Sequence, residues 1–270
     1  MFLIEDFFTL QQRLWAELDW EGLGGAYCDQ EAPDFFDAER RDLIRDVGLE
    51  VALDLTAHLP AGGRSLYVGA GVAELVPLCV EALLQDREVR ALTLPGREAD
   101  ELERALSAAE EALRPQYGAD FTLPRIEGLR LEDATLDGPF DHVWCASVLN
   151  DPDAFPALHD HLYERFTEDA GATGRGSLEG DVMRARLWLE TLEPTLAERA
   201  ALSTSDEEWC VWGPYLEERG WTAAVHDEGR ISALVGDRVR LFRLTQAGAG
   251  AEGDDGAATA RPRDDAEESR

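Results

Sequence analysis

The chain has 270 residues, 44% of them apolar, which is enough to bury the core of one large domain. All 25 basic residues are arginines and 56 residues are Asp or Glu, so the formal net charge is −31 at pH 7, a field that repels nucleic-acid phosphates and anionic membranes. No apolar run approaches the roughly 18 residues of a membrane span, and Glu5 and Asp6 interrupt any secretory leader. We therefore expect a cytoplasmic protein that binds neither nucleic acid nor membrane.

The first 60 residues predict helices. Ile4, Phe7, Leu14 and Leu18 recur at helical spacing, and a glycine-rich break is expected at residues 22–25. A second helix is expected from about residue 34 to residue 60. We interpret residues 1–60 as a helical cap on a domain that spans residues 61–245.

From residue 64 onward, short apolar segments alternate with helical ones. This alternation predicts an α/β fold, a three-layer sandwich around a mostly parallel seven-stranded sheet. Strands are expected at 65–68, 89–94, 122–131, 142–148, 185–190, 221–226 and 239–244, the last two antiparallel, and helices at 74–84, 97–113, 153–166 and 206–219. Residues 168–180 are expected to form a polar loop, and residues 246–270, an acidic segment without aromatic residues, a disordered tail.

One segment combines a strand, a glycine turn and a helix start. It reads RSLYVGAGVAEL from residue 64 to residue 75, with glycines at 69 and 71. Glycines in this position let the chain turn sharply and let a ligand lie against bare backbone near the amides of a helix N-terminus. Alone, the pattern suits many nucleotide-binding folds and also a simple turn.

The order of the later segments distinguishes between these nucleotide-binding folds. LEDATL follows at residues 131–136 and FDHVWCASVLND at residues 140–151. This order resembles the class I S-adenosylmethionine-dependent methyltransferases, which have a glycine-rich first loop, a D-A pair before strand four and an F-D-x-V pattern along that strand. The resemblance covers residues 34–244 and implies S-adenosylmethionine as cofactor and a small molecule as substrate.

The resemblance also assigns residues. It places the first loop against the methionine and ribose parts of the cofactor, Asp133 near the adenine amino group, and the residues after strand four in the substrate pocket. The family has an acid two residues before the first loop glycine and another at the end of strand two, and Tyr67 and Thr93 stand at those positions here. Glu98 or Asp100, in the loop after strand two, is the alternative source of the second carboxylate. The cofactor-binding candidates are Gly69, Ala70, Gly71, Thr93, Asp133, Ala134 and Ser147, and the substrate-pocket candidates are Asn150 and Asp151.

Three functions compete at this point. The first is methyl transfer to a small molecule, which needs alignment of the reactants more than acid or base groups. The second is a catalytically inactive methyltransferase-like binding or scaffold domain, a hypothesis that Tyr67 and Thr93 motivate. The third is a nucleotide-binding oxidoreductase, which the missing acid at the end of strand two disfavours. His142, His159 and His161 are the residues that could form a metal cluster. No metal site is expected, because His159 and His161 are two residues apart on a predicted helix and face different ways.

Overall fold

The computed structural model describes residues 2–27, 35–152, 154–163, 177–226 and 228–248. The helices there are α1 (Ile4–Glu17), α2 (Trp20–Tyr27), α3 (Ala38–His58), α4 (Leu75–Leu84), α5 (Arg97–Tyr117), α6 (Pro156–Leu162), α7 (Leu178–Leu192) and α8 (Asp206–Glu218). The strands are β1 (Arg64–Val68), β2 (Glu88–Thr93), β3 (Ile126–Gly128), β4 (Phe140–Cys145), β5 (Leu196–Ser205), β6 (Trp221–Val225), β7 (Arg230–Ile231) and β8 (Arg238–Gln246).

The strands form one sheet in the order β3-β2-β1-β4-β5-β8-β6, with β7 paired to β8. The first five strands are parallel, whereas β8 runs antiparallel to both β5 and β6. Parallel neighbours need crossover connections, and helices supply them on both faces of the sheet. The expected α/β sandwich is confirmed, and the two-residue β7 is an addition to the seven expected strands.

Two hydrophobic cores flank the sheet. One core contains buried side chains of α1 to α5, among them Leu10, Ile44 and Leu102. The other contains buried side chains of α6 to α8, among them Leu158, Leu189 and Trp212. The N-terminal helices therefore share a core with α4 and α5, and the division at residue 60 stays a prediction.

The expected break at residues 22–25 is wrong, because these residues lie within α2. Glycine lowers helix stability by about 1 kcal/mol relative to alanine, so the sequence alone disfavours a helix here. Packing compensates for this loss of helix stability. A Cβ atom at Gly22 would lie 2.2 Å from Asp19 Oδ2 and 2.8 Å from Arg97 Nη2, while Leu23 is fully buried. The missing side chain at Gly22 thus leaves room for the Asp19 carboxylate and the end of the Arg97 side chain.

The strand expected at residues 185–190 is also wrong, because these residues belong to α7. Its buried residues Ala185, Trp188, Leu189 and Leu192 follow a spacing of three and four, as one face of a helix does. The fifth strand is Leu196–Ser205, in which small and polar residues conceal the strand pattern. It lies inside the sheet between β4 and β8.

Other boundaries differ by a few residues. Helix α7 begins at Leu178, inside the expected loop over 168–180, and β8 continues to Gln246, where the tail was expected to begin. Helix α5 extends to Tyr117 and α6 begins at Pro156. The remainder of the expected loop up to residue 176, residues 164–166 of the expected helix and residues 249–270 of the tail lie outside the described residues. Within the described ranges, no helix is long and apolar enough to cross a bilayer.

Candidate functional site

The carboxyl end of β1 lies where the strand order reverses, with β2 on one side and β4 on the other. Such reversal points are the usual ligand crevices of parallel sheets. The Gly69–Gly71 turn begins there, and the Ala70 amide donates to Leu92 O at 2.9 Å, which ties the turn to β2. Gly69 has φ +74°, and a Cβ atom on it would lie 2.4 Å from Val148 Cγ2. The structure thus brings the loops after β1 and β4 together.

Gly71 faces three polar side chains. A Cβ atom built on it would lie 2.7 Å from Tyr27 Oη, 2.9 Å from Glu98 Oε1 and 3.4 Å from Glu74 Oε2. The Tyr27 hydroxyl donates a hydrogen bond to Glu98, and the Gly71 amide donates to Glu74 Oε2 at 2.9 Å. A ligand lying against Gly71 therefore meets one hydroxyl and two carboxyl groups. Sequence reasoning did not include Tyr27 or Glu74 in the site.

Both carboxyl groups have raised pKa values. Burial raises the pKa of Glu74 to about 7, helped by the negative charge of Glu98 and opposed by the hydrogen bond from the Gly71 amide. Burial also raises the pKa of Glu98, while hydrogen bonds from Tyr27 and the Val72 amide lower it. Glu74 is therefore poised to bind or release a proton near neutral pH.

A buried carboxylate anchors the loop after β4. Glu208, at the start of α8, accepts hydrogen bonds from the amides of Ser147, Val148 and Leu149 at 2.9, 2.6 and 2.6 Å. Burial raises the pKa of Glu208, and the amides of Leu149 and Val148 oppose that shift. Ser147 has φ +61° and gives its amide to Glu208, and its contact with a cofactor stays a prediction. Ser205 and Glu208 also form a capping box, which the S-x-x-E spacing indicates, whereas no local signal points to the contact of Glu208 with the loop after β4.

Asn150 and Asp151 hold the same loop to its surroundings. The Asn150 amide donates to Asp237 Oδ2 and to Tyr163 Oη, both at 2.8 Å, and Asp151 Oδ1 accepts from the Ala154 amide at 2.7 Å. Asn150 and Asp237 are both buried. These contacts fix the loop against the segment before β8, and a role in substrate binding stays a prediction.

The remaining candidates lie at and beyond the end of β2. Thr93 is the last residue of β2, is buried, and accepts a hydrogen bond from the Leu129 amide through its carbonyl at 3.0 Å. Asp133 is exposed at the end of a short 3-10 turn after β3, and Ala134 follows it, half-buried. A carboxylate does reach the first glycine loop, but it comes from Glu98 at the start of α5.

Tyr67 belongs to a different cluster. Its hydroxyl donates to Glu81 Oε1 at 2.5 Å, and its ring stacks on Trp144 with centroids 5.6 Å apart. Glu81 also accepts from Arg87 Nε at 3.0 Å, and His142 Nδ1 lies 3.0 Å from Glu81 Oε1. At the position where the methyltransferases have an acid, Tyr67 therefore belongs to a buried hydrogen-bond network around Glu81.

The three histidines that could form a metal cluster, His142, His159 and His161, do not form one. His142 lies beside Glu81, whereas His159 Nδ1 lies 2.7 Å from the Asn150 carbonyl oxygen. Over the part of the chain that the structure describes, no group of His, Cys, Asp and Glu side chains has the arrangement of a metal site.

The strand order and the glycine turn at its reversal point define the class I methyltransferase-like fold. Similar solved structures include a methyltransferase from Pyrococcus furiosus, 14% identical over 74% of this chain and 83% of that one, with a TM-score of 0.40. A putative O-methyltransferase from Klebsiella pneumoniae is 13% identical over 88% and 100% of the two chains, with a TM-score of 0.41. N-methyltransferase NodS from Bradyrhizobium japonicum WM9, in complex with S-adenosyl-L-homocysteine, is 14% identical over 89% and 98%, with a TM-score of 0.41.

No protein-family model and no curated protein matches the sequence. The similarity to these solved structures is low, and the strand order is the feature that defines the fold.

Proposed function

We propose that the protein binds S-adenosylmethionine at the carboxyl ends of β1 and β2 and transfers its methyl group to a small molecule. The observation that carries this proposal is the glycine turn at the strand-order reversal, faced by Glu98 and Glu74. The bound cofactor supplies a methyl group activated by a positively charged sulfonium. Carboxylates complement that charge, the ammonium group of the methionine part and the ribose hydroxyls.

The side chains at the turn fit this ligand. Gly71 carries no Cβ atom, and the Tyr27 hydroxyl and the Glu98 and Glu74 carboxyl groups fill the space beside it, so a ligand that lies against this backbone displaces the Tyr27 hydroxyl. Glu98 accepts a hydrogen bond from Tyr27, so a ribose hydroxyl can take the place of the Tyr27 hydroxyl on the same carboxylate. Glu98 thereby fills the role that the resemblance assigns to an acid at the position of Thr93.

The remaining candidates have positioning roles in this proposal. Asp133 is exposed and able to accept a hydrogen bond from the adenine amino group, and Ala134 leaves room for the ring. Ser147 presents its side chain from a loop that Glu208 holds rigid. Rigid placement matters because alignment of donor and acceptor lowers the barrier for this type of transfer.

Calorimetric titration with S-adenosyl-L-homocysteine tests the proposal. We expect the wild-type protein to bind and Glu98→Gln to weaken binding about tenfold, equivalent to about 1.4 kcal/mol, because a charge-assisted bond becomes a neutral one. Asp100→Asn is the matched control, since Asp100 is exposed in the same helical turn, and it should bind like the wild type.

Two results would overturn the proposal. A folded wild-type protein that fails to bind at millimolar ligand would favour the inactive scaffold domain. Binding of NAD in preference to S-adenosyl-L-homocysteine would favour the oxidoreductase.

A further inference from the structure

The side chains on one side of the sheet are exposed at β6 and β8. Alternate residues of a strand point to opposite sides of a sheet, and Ala201 and Leu241 point to the side on which α3 packs. Their neighbours on that side are exposed: Arg199 of β5, Thr222 and Ala224 of β6, and Arg243 and Thr245 of β8. We call these five residues the arginine surface.

The two arginines of this surface are neighbours. Arg199 pairs with Thr245 in the antiparallel register of β5 and β8, and Arg243 lies two residues before Thr245 on β8. Diagonal neighbours of this kind are roughly 7–8 Å apart in an antiparallel pair, within reach of one short peptide segment. Thr222 and Ala224 of β6 continue the surface on the other side of β8.

The arginine surface is positively charged, although the chain has a net charge of −31. Within the register that joins β5, β8 and β6, the other residues on this side are Ala201, Ser203, Ser205, Val239 and Leu241, none of which is acidic. Within the described ranges Arg243 forms no ion pair, and its Nη2 atom lies 3.3 Å from His226 Nε2. On α3, the Asp54 carboxylate pairs with Arg230 at 3.0 Å. The surface therefore attracts carboxylates from elsewhere.

This surface lies at the opposite end of the sheet from the glycine turn. Ala201 is level with His142 of β4, which is level with Ser65, the second residue of β1. Arg199 precedes Ala201 by two residues, so it lies near the amino end of β1, whereas Gly69 follows the carboxyl end of that strand. Binding at the arginine surface is thus separate from the candidate cofactor site.

The chain that follows β8 starts beside this surface. β8 ends at Gln246, the Ala247 amide donates to Gly220 O at 2.9 Å, and Gly248 has φ +100°, a turn conformation. The described residues end at Gly248. Beyond it the sequence reads EGDD at residues 252–255, a segment with three carboxylates and no basic residue.

The length of chain between Gly248 and this acidic segment matches the surface. An extended chain covers about 3.3 Å per residue, so Arg243, five residues before Gly248, is roughly 17 Å from it along β8. Asp254 is six residues beyond Gly248 and can therefore reach back to Arg243. By the same measure Glu252, four residues beyond Gly248, can reach Arg199, which pairs with Thr245.

We propose that residues 252–255 bind the arginine surface of their own chain, with Glu252 beside Arg199 and with Asp254 and Asp255 beside Arg243. Guanidinium groups offer several N–H donors to a carboxylate, and acidic terminal segments commonly serve as interaction tails. Exposed ion pairs are weak, but a short tether holds the segment at an effective concentration in the millimolar range. The bound segment also shields the surface from other acidic molecules.

Backbone amide NMR of the full-length protein tests this binding. Glu252→Gln, Asp254→Asn and Asp255→Asn, introduced together, should shift the amide resonances of Thr222, Ala224 and Thr245. The shift should disappear in about 1 M KCl, where the screening length falls to roughly 3 Å. Unchanged resonances at low salt would overturn the proposal.

The matched control removes the same charge further along the chain. Asp264→Asn, Asp265→Asn and Glu267→Gln, introduced together, follow the arginines at 261 and 263 and should leave the three amide resonances unchanged. If this variant shifts them as much as neutralisation of residues 252–255 does, the assignment to residues 252–255 is wrong.

A second comparison tests the role of Arg243. In an Arg243→Gln background, neutralising residues 252–255 should shift the three amides about half as much as in the wild type, or less, because one of two coupled partners is gone. Arg186→Gln is the control, since Arg186 belongs to α7 on the other side of the sheet and pairs there with Glu218. It should leave the effect intact. Equal effects in the Arg243→Gln and Arg186→Gln backgrounds would refute the contact with Arg243.

Protein concentration distinguishes the tethered segment from a second copy of the chain. The amide shifts caused by neutralising residues 252–255 should be the same in dilute and concentrated samples, because the contact lies within one chain. Shifts that grow with concentration, or a dimer in light scattering that Arg243→Gln dissociates and neutralisation of residues 252–255 does not, would show that another molecule occupies the surface and would overturn the proposal.

Discussion

A buried glutamate, Glu81, and a half-buried one, Glu74, show how opposite pKa shifts arise in one small protein. Burial raises the pKa of Glu81, but the charge of His142 and hydrogen bonds from His142, Ser65 and Tyr67 outweigh burial and lower it to about 2. Burial raises the pKa of Glu74 to about 7, aided by the like charge of Glu98 and only partly opposed by hydrogen bonds such as the one from the Gly71 amide. The charge of the neighbouring group separates the two cases, since His142 lowers the pKa of Glu81 whereas Glu98 raises the pKa of Glu74.

Glu81→Gln should therefore destabilise the fold strongly. Arg87, whose side chain is 0% exposed, would lose one of its two carboxylate partners and keep Asp141, and buried His142 would lose the carboxylate beside it, at a cost of about 1–3 kcal/mol. The measurement is the free energy of unfolding by denaturant. Glu88→Gln is the control, because Glu88 forms an ion pair with Arg64 while 68% exposed, and should cost about 0–1 kcal/mol. Equal losses for the two variants would refute the role of Glu81.

The pH dependence of that loss has a definite sign. The pKa of Glu81 is lowered from 4.5 to about 2 on folding, so its contribution is complete above pH 4.5 and is lost as pH falls toward 2. The stability difference between wild type and Glu81→Gln should shrink over that interval. A difference that is constant with pH would contradict the assigned shift.

The contribution of Glu74 to stability should have the opposite pH dependence. Folding raises its pKa from 4.5 to about 7, so its contribution is complete below pH 4.5 and is lost as pH rises through 7. We expect the stability of the wild type relative to Glu74→Gln to fall between about pH 5 and about pH 8. Denaturant titrations of both proteins at several pH values measure this, and parallel curves would exclude the shift.

At the scale of elements, close packing of α3 against α4 depends on Gly48. A Cβ atom there would lie 3.0 Å from Val76 Cβ and 3.2 Å from Val76 Cγ2, and Gly48 is buried in α3. Gly48→Leu should destabilise the protein by roughly 1–3 kcal/mol, because overpacking outweighs the gain in helix propensity. Ala57→Leu at an exposed position of α3 is the control and should change stability by less than about 0.5 kcal/mol. A stabilised Gly48→Leu variant would show that α3 moves freely away from α4.

At the scale of the whole molecule, the dominant property is the net charge of −31. Like charges at this density repel one another across the surface and oppose the compact state, and salt screens that repulsion. We expect the Tm to rise by several degrees as KCl is increased to about 1 M, where the screening length falls to roughly 3 Å. Sucrose at equal osmolarity is the control for solute exclusion. An equal rise in Tm with sucrose and with KCl would exclude charge screening as the cause.

Features confined to a short stretch of chain could be predicted from the sequence. The glycine turn at residues 69–71 and the capping box of α8 each span a few residues, and the sheet class followed from the alternation of apolar patterns. Local patterns also gave wrong predictions for two elements. The glycines of α2 predicted a break where a helix forms, and the small residues of β5 hid its strand pattern.

Only the tertiary structure decided which groups face the turn. Glu98 meets the Tyr27 hydroxyl across 71 residues of sequence, and Glu208 meets the amide of Ser147 across 61. Such contacts depend on how helices dock on the sheet, and many residues far apart in sequence determine that docking together. The sequence offered Glu98 and Asp100 as carboxylates that could reach the cofactor from the loop after the second strand. Only the docking of α5 on the sheet decided that Glu98 faces Gly71, because no local pattern encodes the distance between α5 and the β1 turn.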